Sequence, residues 1–246
     1  MVEFIRAESR GRGLVLGLSG GVDSAVIAAL SAKAVGRGRV LALIMPEDEG
    51  SPPVDTRDAS DYADSLGIRR EIIDFTPLCK CFLQSVPRSG DRVAEGNVKA
   101  RLRMALLYYF ANCEGRMVVG SGDRSELAMG YFTKYGDGGV DILPIGGLYK
   151  TQVRRMGEHL GVPERIMKKK SSPCLWAGQQ AEDELGLEYG EVDLILHLHL
   201  DEGYGRGRLV EELGKGWEKR IDKVLSRIDS NSHKLKMPPI ADINPP

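Results

Sequence analysis

Four short apolar segments alternate with helical segments over the first 150 residues, and this alternation leaves few folds open. The apolar segments are 14–18, 40–45, 68–75 and 117–120, and glycine, serine or proline follows each of them within two residues. Strands that are apolar along their whole length are typical of a parallel sheet covered on both faces. Because crossovers between parallel strands are right-handed, the pattern predicts an α/β fold with a doubly wound parallel sheet and helices on both faces.

Helical periodicity separates these strands and dominates the rest of the chain. Helices are predicted over 24–34, 53–67, 98–112, 124–129, 149–160, 188–200 and 209–228. We therefore expect one domain over residues 1–246, with an α/β core in 1–150 and a mostly helical remainder in 151–246. The segments 46–57, 84–97 and 168–184 are predicted to be mobile loops, and the proline-rich tail from residue 236 is predicted to lack regular structure.

Charge and hydropathy exclude several classes of protein. The 34 basic and 35 acidic residues give a formal net charge of −1, whereas a general nucleic-acid or membrane-surface binder needs a basic face. No apolar run approaches the roughly 18 residues of a membrane span, and the first residues lack the apolar core of a signal peptide. We therefore expect a cytoplasmic protein with reduced cysteines and no nucleic-acid or membrane partner.

Two short motifs raise the question of a zinc site. Cys79 and Cys81 form a C-x-C pair, and His197 and His199 form an H-x-H pair more than a hundred residues later. Neither spacing is a standard zinc signature. Zinc binding is therefore the weakest alternative, and we expect packed thiols and surface imidazoles.

The turn after the first strand reads S-G-G-V-D-S over 19–24 and leads into a helix. Its glycines let backbone N–H groups approach an anion closely, its serines add hydroxyl donors, and the helix directs its positive end to the same place. Asp23 does not suit a pure anion site, so we interpret it as the ligand of a divalent cation that bridges phosphate oxygens. The turn matches neither G-x-x-x-x-G-K-[ST] nor G-x-G-x-x-G.

A second polar region runs from 121 to 150 and contains glycines, carboxylates and the lysines Lys134 and Lys150. This composition indicates a site for a large phosphorylated ligand. A solvated surface loop is the alternative, although polar loops of this length inside a compact domain are uncommon unless they are functional. The helix that follows Gly96 carries Lys99, Arg101 and Arg103, which fit either a binding site or an ordinary exposed face.

These motifs resemble those of a known family. The S-G-G-V-D-S turn is similar to the pyrophosphate-binding loop of the ATP pyrophosphatase superfamily, whose fold is that of the adenine nucleotide alpha-hydrolases. The segments G-N-V-K-A-R-L-R-M (96–104), G-Y-F-T-K-Y-G-D-G-G-V-D (130–141), L-P-I-G-G-L-Y-K (143–150) and L-W-A-G-Q (175–179) resemble ammonia-dependent NAD synthetases. The resemblance extends from about residue 2 to His233-Lys234, and its F-T-K-Y-G-D-G-G segment is highly specific to the family.

The resemblance implies a role for each matching residue. ATP would be bound by Gly17, Leu18, Ser19, Gly20, Gly21, Val22, Asp23, Ser24, Ser121, Lys150 and Ser172. Deamido-NAD would be bound by Arg101, Lys134, Asp141, His233 and Lys234. Asp23 and Glu126 would hold Mg²⁺, and Asp23 and Lys150 would be catalytic. The family forms homodimers, with the dinucleotide at the subunit interface.

The resemblance also implies a reaction. The nicotinate carboxylate attacks the α-phosphorus of ATP, pyrophosphate leaves, and ammonia displaces AMP from the resulting acyl-adenylate. Positive charge from magnesium, the turn amides and Lys150 would favour departure of pyrophosphate. A glutaminase domain would need a further domain-sized segment, so we expect free ammonia as the donor, or a separate glutaminase subunit as an alternative.

The segment 171–182 departs from the family pattern. It has Pro173, Cys174 and Ala181 where relatives usually have alanine, a small or acidic residue, and aspartate. Because this segment is a loop over the substrate in relatives, the change keeps two alternatives open. One is another adenylating enzyme, acting on a tRNA base or a purine carbonyl, and the other is a non-catalytic sensor of ATP or NAD. The length and net charge do not favour an RNA-binding enzyme. Retention of Asp23, Glu126, Lys134 and Lys150 together does not favour a sensor, since a pure sensor has no need for the metal pair.

Overall fold

The computed structural model describes residues 1–48, 50–87, 90–241 and 243. Within them, four parallel strands form one sheet in the order β3-β2-β1-β4. The strands are β1 (Gly13–Gly17), β2 (Val40–Ile44), β3 (Arg69–Ile72) and β4 (Arg116–Val119). Val119 also forms an isolated parallel bridge to Ile142. The predicted parallel α/β sheet is confirmed, although β3 is shorter than the predicted segment 68–75.

Helices cover both faces of this sheet. The long helices against it are α2 (Val22–Val35) and α5 (Arg92–Glu114). Side chains alternate along a strand, so neighbouring residues of β1 face opposite sides. Leu14 and Leu16 belong to one buried cluster together with α2, whereas Val15 belongs to another together with α5. This arrangement is the doubly wound architecture predicted from the sequence.

The other helices complete the chain. They are α1 (Val2–Ser9), α3 (Pro53–Leu66), α4 (Thr76–Gln84), α6 (Arg124–Met129), α7 (Lys150–Leu160), α8 (Glu164–Met167), α9 (Ala181–Leu185), α10 (Tyr189–Leu196), α11 (Arg206–Leu213) and α12 (Glu218–Asn231). Short 3-10 segments lie at Arg37–Arg39, Lys215–Trp217 and Ser232–Leu235. Among the helices of the described residues, none combines the length and the apolar character that crossing a membrane requires.

Helix α5 begins six residues earlier than predicted, inside the predicted loop 84–97. The Asp91 carboxylate accepts hydrogen bonds from the N–H groups of Val93 and Ala94 and so caps the first turn. The sequence prediction also missed α4, which ends at the first residue of that predicted loop. Residues 88 and 89 of that predicted loop lie outside the described residues.

The predicted helix over 209–228 is wrong, because two helices occupy it. Helix α11 ends before Gly214, whose φ of +90° favours glycine, and α12 starts at Glu218. The predicted helix over 188–200 is α10 followed by a π-helical turn at His197–Asp201. Apolar residues recur at helical spacing on both sides of Gly214, so the spacing alone predicted one helix. The glycine ends α11 instead.

The helices after residue 150 contribute to two different cores. Val153, Val162 and Ile166 of the α7–α8 region join the sheet core. Residues of α9 to α12 form a separate buried cluster that also takes in Met129 and Tyr149. The predicted loops 46–57 and 168–184 each contain a helical end, α3 from Pro53 and α9 from Ala181. This second core lies beside α6 and therefore beside the end of β4.

Candidate active site

The S-G-G-V-D-S turn links the end of β1 to the start of α2. Gly20 has a φ of +81°, and a Cβ there would lie 2.5 Å from the carbonyl oxygen of Asp55, so only glycine fits. The Ser24 hydroxyl donates to the carbonyl of Gly21 at 3.0 Å and accepts from the N–H of Ser19 at 3.2 Å. The turn is thereby held in shape at the positive end of a 14-residue helix. This geometry suits the binding of a phosphate group.

Beside the turn, Lys150 is completely buried and contacts three carboxylates. Its Nζ lies 2.8 Å from one oxygen each of Asp23, Asp123 and Glu126. Asp23 lies in the first turn of α2, Asp123 and Glu126 at the start of α6, and Lys150 at the start of α7. The N-termini of three helices therefore converge on one charged cluster. Its residues are distant from one another in the sequence.

Burial and charge shift the pKa values within this cluster. Burial raises the pKa of Asp123 to about 6 and that of Glu126 to about 8, although Lys150 acts in the opposite direction on both. Burial also disfavours the charged form of Lys150, but the three carboxylates outweigh it and hold the pKa of Lys150 well above its usual 10.5. The raised pKa values of Asp123 and Glu126 mean that one ammonium does not fully compensate the carboxyl groups around it, so the cluster favours a further cation.

The same residues fit a divalent cation. One oxygen from each of Asp23, Asp123 and Glu126 lies within 4.8 Å of the other two. The buried Oδ1 of Asp23 accepts no hydrogen bond, and Oδ2 of Asp123 has Lys150 as its partner. A set of carboxylate oxygens with unused acceptors matches the hard ligands that Mg²⁺ takes in proteins.

Asp123 is the member of this cluster that the sequence analysis did not assign. Its Oδ1 accepts the N–H of Glu126 at 2.8 Å, and the Glu126 side chain accepts the N–H of Asp123. The pair is a capping box, whose sequence signature is an aspartate followed three residues later by glutamate. That signature was visible in S-G-D-R-S-E, but it reports a helix start and not the approach of Lys150.

A cavity of about 520 Å³ opens between the S-G-G-V-D-S turn (19–24, the phosphate turn), the end of β2 and helix α5. Its volume lies within the usual range for small-molecule and cofactor sites. Of the residues predicted to bind ATP, those that line it are Gly17, Leu18, Ser19, Asp23, Ser24, Ser121 and Ser172. Gly20, Gly21 and Val22 line an adjoining pocket, and Lys150 contacts Asp23 from behind the wall. The structure thus brings the whole predicted ATP set into one region.

The predicted deamido-NAD set is more dispersed. Lys234 lines the cavity, whereas the Lys134 ammonium donates to the carbonyls of His233 and Lys236 at 2.8 and 2.9 Å. Arg101 donates to the carbonyl of Lys134 at 3.4 Å. The structure therefore places Arg101, Lys134 and His233 together, outside the cavity lining.

Asp141 lies apart from these residues, against β4. It accepts the Tyr108 hydroxyl at 3.0 Å and the Val118 N–H at 2.8 Å. Both bonds join Asp141 to the protein's own framework. Its assignment to deamido-NAD stays a prediction, as do those of Arg101, Lys134, His233 and Lys234.

The unusual segment 171–182 lies over the cavity. Leu175 and Trp176 pack on Gly96 of α5, where a Cβ would meet their side chains at 3.2 and 3.1 Å. The Ser172 hydroxyl accepts the N–H of Cys174 at 3.1 Å. Just before this segment, the Lys169 ammonium donates to the carbonyl of Gly20 at 3.2 Å, which joins the loop to the phosphate turn. The sequence contained no signal for the contact with Gly96.

The structure does not assemble the zinc alternative. Cys79 is buried in α4 as expected for a packed thiol, but that expectation is wrong for Cys81 and Cys113, which are exposed. His197 contacts Asp201 at 2.9 Å and His199 contacts the carbonyl of Tyr204 at 2.8 Å. Over the described ranges, the cluster of Asp23, Asp123 and Glu126 is the only group of three or more metal-ligating side chains.

The fold and the site together define an α/β nucleotide-binding protein with a phosphate turn beside a carboxylate–lysine cluster. Comparison with known families matches residues 2–238 to the family described as NAD synthase. A curated relative from Hyperthermus butylicus, an NH(3)-dependent NAD(+) synthetase, is 50% identical over 243 residues, which are 98% of this chain and 88% of the relative. The chain belongs to the NAD synthase family.

Solved structures agree with this assignment. An NMN synthetase from Francisella tularensis superposes with a TM-score of 0.85 at 35% identity, covering 98% of this chain and 95% of that one. An NH3-dependent NAD synthetase from Campylobacter jejuni, in complex with the nitrate ion, superposes with a TM-score of 0.81 at 30% identity and the same coverage. The resemblance read from the sequence motifs is therefore confirmed at the level of family and fold.

Proposed function

We propose that the chain is an ammonia-dependent NAD synthetase. A carboxylate oxygen of deamido-NAD attacks the α-phosphorus of ATP, and pyrophosphate leaves with the electrons of the broken P–O bond. Ammonia then attacks the acyl carbon, loses a proton and releases AMP, which leaves the amide of NAD. The observation that carries this proposal is the convergence of three helix N-termini, with Asp23, Asp123, Glu126 and Lys150, beside a phosphate turn that opens into the cavity.

The chain's own residues supply binding, charge and exclusion of water. Backbone N–H groups of the turn, with the start of α2 behind them, bind the phosphates of ATP. The Lys150 ammonium stabilises the negative charge that pyrophosphate gains as it leaves. When Mg²⁺ is bound by Asp23 and Glu126, with Asp123 beside them, it supplies further positive charge to the phosphate oxygens. The loop over the cavity keeps water from the reactive adenylate.

The remaining assignments follow the family resemblance and are part of the proposal. Ser121 and Ser172 contact ATP from the cavity wall. Arg101, Lys134, Asp141, His233 and Lys234 bind deamido-NAD. Residues 1–150 form the nucleotide-binding core, and 151–246 form the mostly helical remainder with the mobile loop 168–184.

A homodimer is also part of the proposal. Helix α5 has 23 residues, of which four are buried, and Leu102, Ala105, Leu106 and Tyr109 form an apolar face on which Tyr109 is 62% accessible. We infer that this apolar face forms the dimer interface, because packing it against a second copy would remove apolar surface from water. Sedimentation equilibrium tests it: we expect a dimer for the native chain and a shift toward monomer for Tyr109→Arg. A native chain that sediments as a monomer would contradict this proposal.

The function is tested by incubating the chain with deamido-NAD, MgATP and either ammonium or glutamine. We expect AMP, pyrophosphate and NAD to form in equal amounts with ammonium alone. Product with glutamine only in the presence of a second protein would indicate a separate glutaminase subunit. Formation of AMP and pyrophosphate without NAD would locate the failure at the ammonia step.

Asp23→Asn provides the matched test of the site within that assay. Because it removes one of the three carboxylates around Lys150, we expect it to abolish pyrophosphate release. Asp229→Asn makes the same change on the exposed face of α12 and should leave the rate unaltered. Near-normal pyrophosphate release by Asp23→Asn would remove this residue from the proposed metal site.

The assay also separates the alternative functions. The Francisella relative is described as an NMN synthetase, so the acidic mononucleotide is included beside deamido-NAD, and faster turnover of it would reassign the substrate. Adenylation of neither nucleotide, with ATP still bound, would point to a sensor or to another adenylation substrate.

A further inference from the structure

Helix α12 carries an arginine on the face that points into the protein. Ile221 and Val224 of this helix are fully buried. Arg227 follows Val224 by three residues and Ile221 by six, which places all three on one side of an α-helix. An apolar residue would be expected at that position of an amphipathic helix. Arg227 instead lines the cavity described above.

The Arg227 guanidinium has no counter-ion in the described part of the chain. Its Nε is buried and forms no hydrogen bond, and no carboxylate lies within ion-pair distance of it among those residues. The group lies over the ring of Tyr131 at 5.9 Å, a weak cation–π contact. The neighbouring carboxylate of Glu184 is engaged by the Tyr131 hydroxyl and by Gln179. Leaving a buried guanidinium N–H without an acceptor is costly, so the Arg227 side chain favours an anionic ligand that supplies one.

A second cation, Lys234, lines the same cavity. Its Nζ donates to the carbonyls of Gly130 and Phe132 at 2.6 and 3.0 Å, so its hydrogen-bond partners there are neutral. Burial lowers the pKa of Lys234 and the charge of Arg227 lowers it further, whereas the Asp137 carboxylate on the same cavity acts in the opposite direction without reversing the shift. The two positive charges therefore repel each other at the wall formed by residues 130–132. Like charges kept together at a cavity wall complement an anionic ligand.

The position of this wall relative to the phosphate turn is fixed by α6. Glu126 lies near the start of α6, and residues 130–132 follow its end. Gly130 follows Glu126 by four residues, about 6 Å along the helix at about 1.5 Å per residue, and the Tyr131 N–H donates to the Glu126 carbonyl at 2.8 Å. The chain of α12 is held there closely, because a Cβ at Gly130 would overlap Asn231. The two cations thus face the cavity from a place separate from the carboxylate–lysine cluster.

We propose that Arg227 is a further substrate-binding residue, which together with Lys234 forms an oxyanion subsite for the acidic nucleotide. The ligand group is a carboxylate or phosphate oxygen of deamido-NAD. The inference rests on the proposed function and adds to it a residue that the family motifs do not contain. ATP binds at the phosphate turn, so the subsite binds the second nucleotide, deamido-NAD.

The test is equilibrium binding by Arg227→Gln in the full chain, measured by calorimetry. We expect the dissociation constant for deamido-NAD to rise about 10- to 100-fold, the range for losing a charge-assisted hydrogen bond, with ATP binding unchanged. Arg220→Gln is the control, since Arg220 is an exposed arginine of the same helix that pairs with Glu191. Arg227→Lys keeps the charge without the planar fork, and we expect an intermediate loss.

NAD distinguishes the two sources of the oxyanion, because it keeps the diphosphate and lacks the carboxylate. Weaker binding of deamido-NAD alone would assign the carboxylate, and equal weakening of NAD would assign the diphosphate. Unchanged affinity for deamido-NAD in Arg227→Gln, or an equal loss of ATP affinity, would overturn the subsite. A native chain that binds no deamido-NAD would instead overturn the proposed function, and the subsite with it.

Discussion

At the scale of single residues, Lys150 illustrates how one side chain can organise a site. Its ammonium is fully buried and contacts carboxylates from two other helices, at 2.8 Å in each case. A lone buried charge would be unfavourable, but here the carboxylates and the ammonium stabilise one another. Removing the ammonium should therefore lower the free energy of unfolding.

We predict that Lys150→Met destabilises the protein and makes it responsive to divalent cations. Methionine keeps the approximate volume but leaves Asp23, Asp123 and Glu126 uncompensated, so the free energy of unfolding should fall by about 3–5 kcal/mol. Millimolar Mg²⁺ should restore part of this loss, since a cation that binds only the folded state stabilises it. Urea unfolding with Mg²⁺ and with EDTA measures both effects.

Lys219→Met is the control for that experiment, because Lys219 is exposed on α12. Its effect should stay within about 0.5 kcal/mol. If Lys150→Met were as stable as the native chain in EDTA, the buried cluster would not have the energetic role described here. A lack of response of Lys150→Met to Mg²⁺ would argue against the carboxylates as a cation site.

At the scale of elements, a buried network joins α6, α7 and α10 and holds Lys150 in place. The Ser125 hydroxyl donates to Asp193 and accepts the N–H of Lys150 at 2.9 Å. The other oxygen of Asp193 accepts the N–H of Thr151 at 2.8 Å. The start of α7 is therefore bound to α6 and α10 by side chains that do not touch the cavity.

We predict that Ser125→Ala weakens both stability and ATP binding. It leaves the Lys150 N–H and one Asp193 oxygen without their partner, so the free energy of unfolding should fall by about 1–3 kcal/mol. Because the start of α7 is then less firmly placed, KM for ATP should rise. Ser226→Ala, on the exposed face of α12, should change neither quantity. An unaltered KM in Ser125→Ala would limit the network to a structural role.

A second connection between elements joins α3 to the segment before the cavity loop. Asp58 of α3 is buried and pairs with Arg165 at 2.7 Å and with Lys169, whose ammonium also contacts the phosphate turn. Burial raises the pKa of Asp58, but hydrogen bonds from Lys169 and Arg165 outweigh it, and the pKa lies below its usual 3.8. The folded state therefore releases this proton more readily than the unfolded state does.

This shift predicts the pH dependence of stability. Asp58 stabilises the fold fully above its ordinary pKa of 3.8, and that contribution is lost as the pH falls through the lower folded value. We expect Asp58→Asn to be about 1–3 kcal/mol less stable at neutral pH and to lose less stability than the native chain on acidification. Urea unfolding between pH 2 and 6 measures the slope, since the loss takes place below the ordinary pKa of 3.8. Asp61→Asn is the matched control, because Asp61 contacts the same arginine but is 55% exposed.

If Asp58→Asn and the native chain lost stability in parallel on acidification, the ion pairs of Asp58 would not contribute. If Asp61→Asn changed the pH dependence of stability as much as Asp58→Asn, that dependence would arise from pairing with Arg165 and not from the burial of Asp58. Either result would contradict the role given to the α3 connection.

At the scale of the whole molecule, the loop 171–182 closes the cavity by contacting distant parts of the chain. The carbonyl of Cys174 lies so close to Gly50 that a Cβ there would be 2.6 Å away, and Trp176 rests on Gly96 and under the guanidinium of Arg92. The loop thereby touches both the segment after β2 and the start of α5. Its position depends on small residues at the points of contact.

We predict that Gly96→Ala loosens this loop. The added methyl group would lie 3.1 Å from the Trp176 ring, closer than side chains usually pack, so the ring should move toward solvent. Trp176 and Trp217 are the two tryptophans, and Trp217→Phe isolates the signal of Trp176. We expect red-shifted emission and stronger acrylamide quenching in Gly96→Ala, with partial recovery when MgATP is added. Gly190→Ala is the control, since no atom lies near a Cβ there.

Identical emission and quenching in Gly96→Ala and Gly190→Ala would show that Trp176 does not rest on α5. A signal that MgATP leaves unaltered would separate the loop from nucleotide binding. Both outcomes concern loop 168–184, which the sequence predicted as mobile and the family resemblance placed over the substrate.

The strands, the phosphate turn and most helices could be predicted from the sequence because each depends on residues close together in the chain. An apolar run bounded by Gly20 and Gly21, or the helix over Arg124–Met129, is a local pattern whose conformation its own residues favour. The family resemblance depended on such local motifs too. Residues 17–24 and Ser121 came together because they lie at the ends of the neighbouring strands β1 and β4, where parallel strands direct them to one edge, whereas Lys150 and Ser172 come from α7 and the cavity loop.

Tertiary structure decided what depends on residues far apart. Asp23 and Lys150 are 127 positions apart, and only packing of α2 against α7 brings them to 2.8 Å, while Asp123 looked like a helix cap in the sequence. The same holds for Arg227, a charged residue on an exposed-looking helix until α12 packs beside residues 130–132. Burial and charge pairing are properties of three-dimensional contacts, because they depend on which groups exclude water from one another, and no local pattern contains that information.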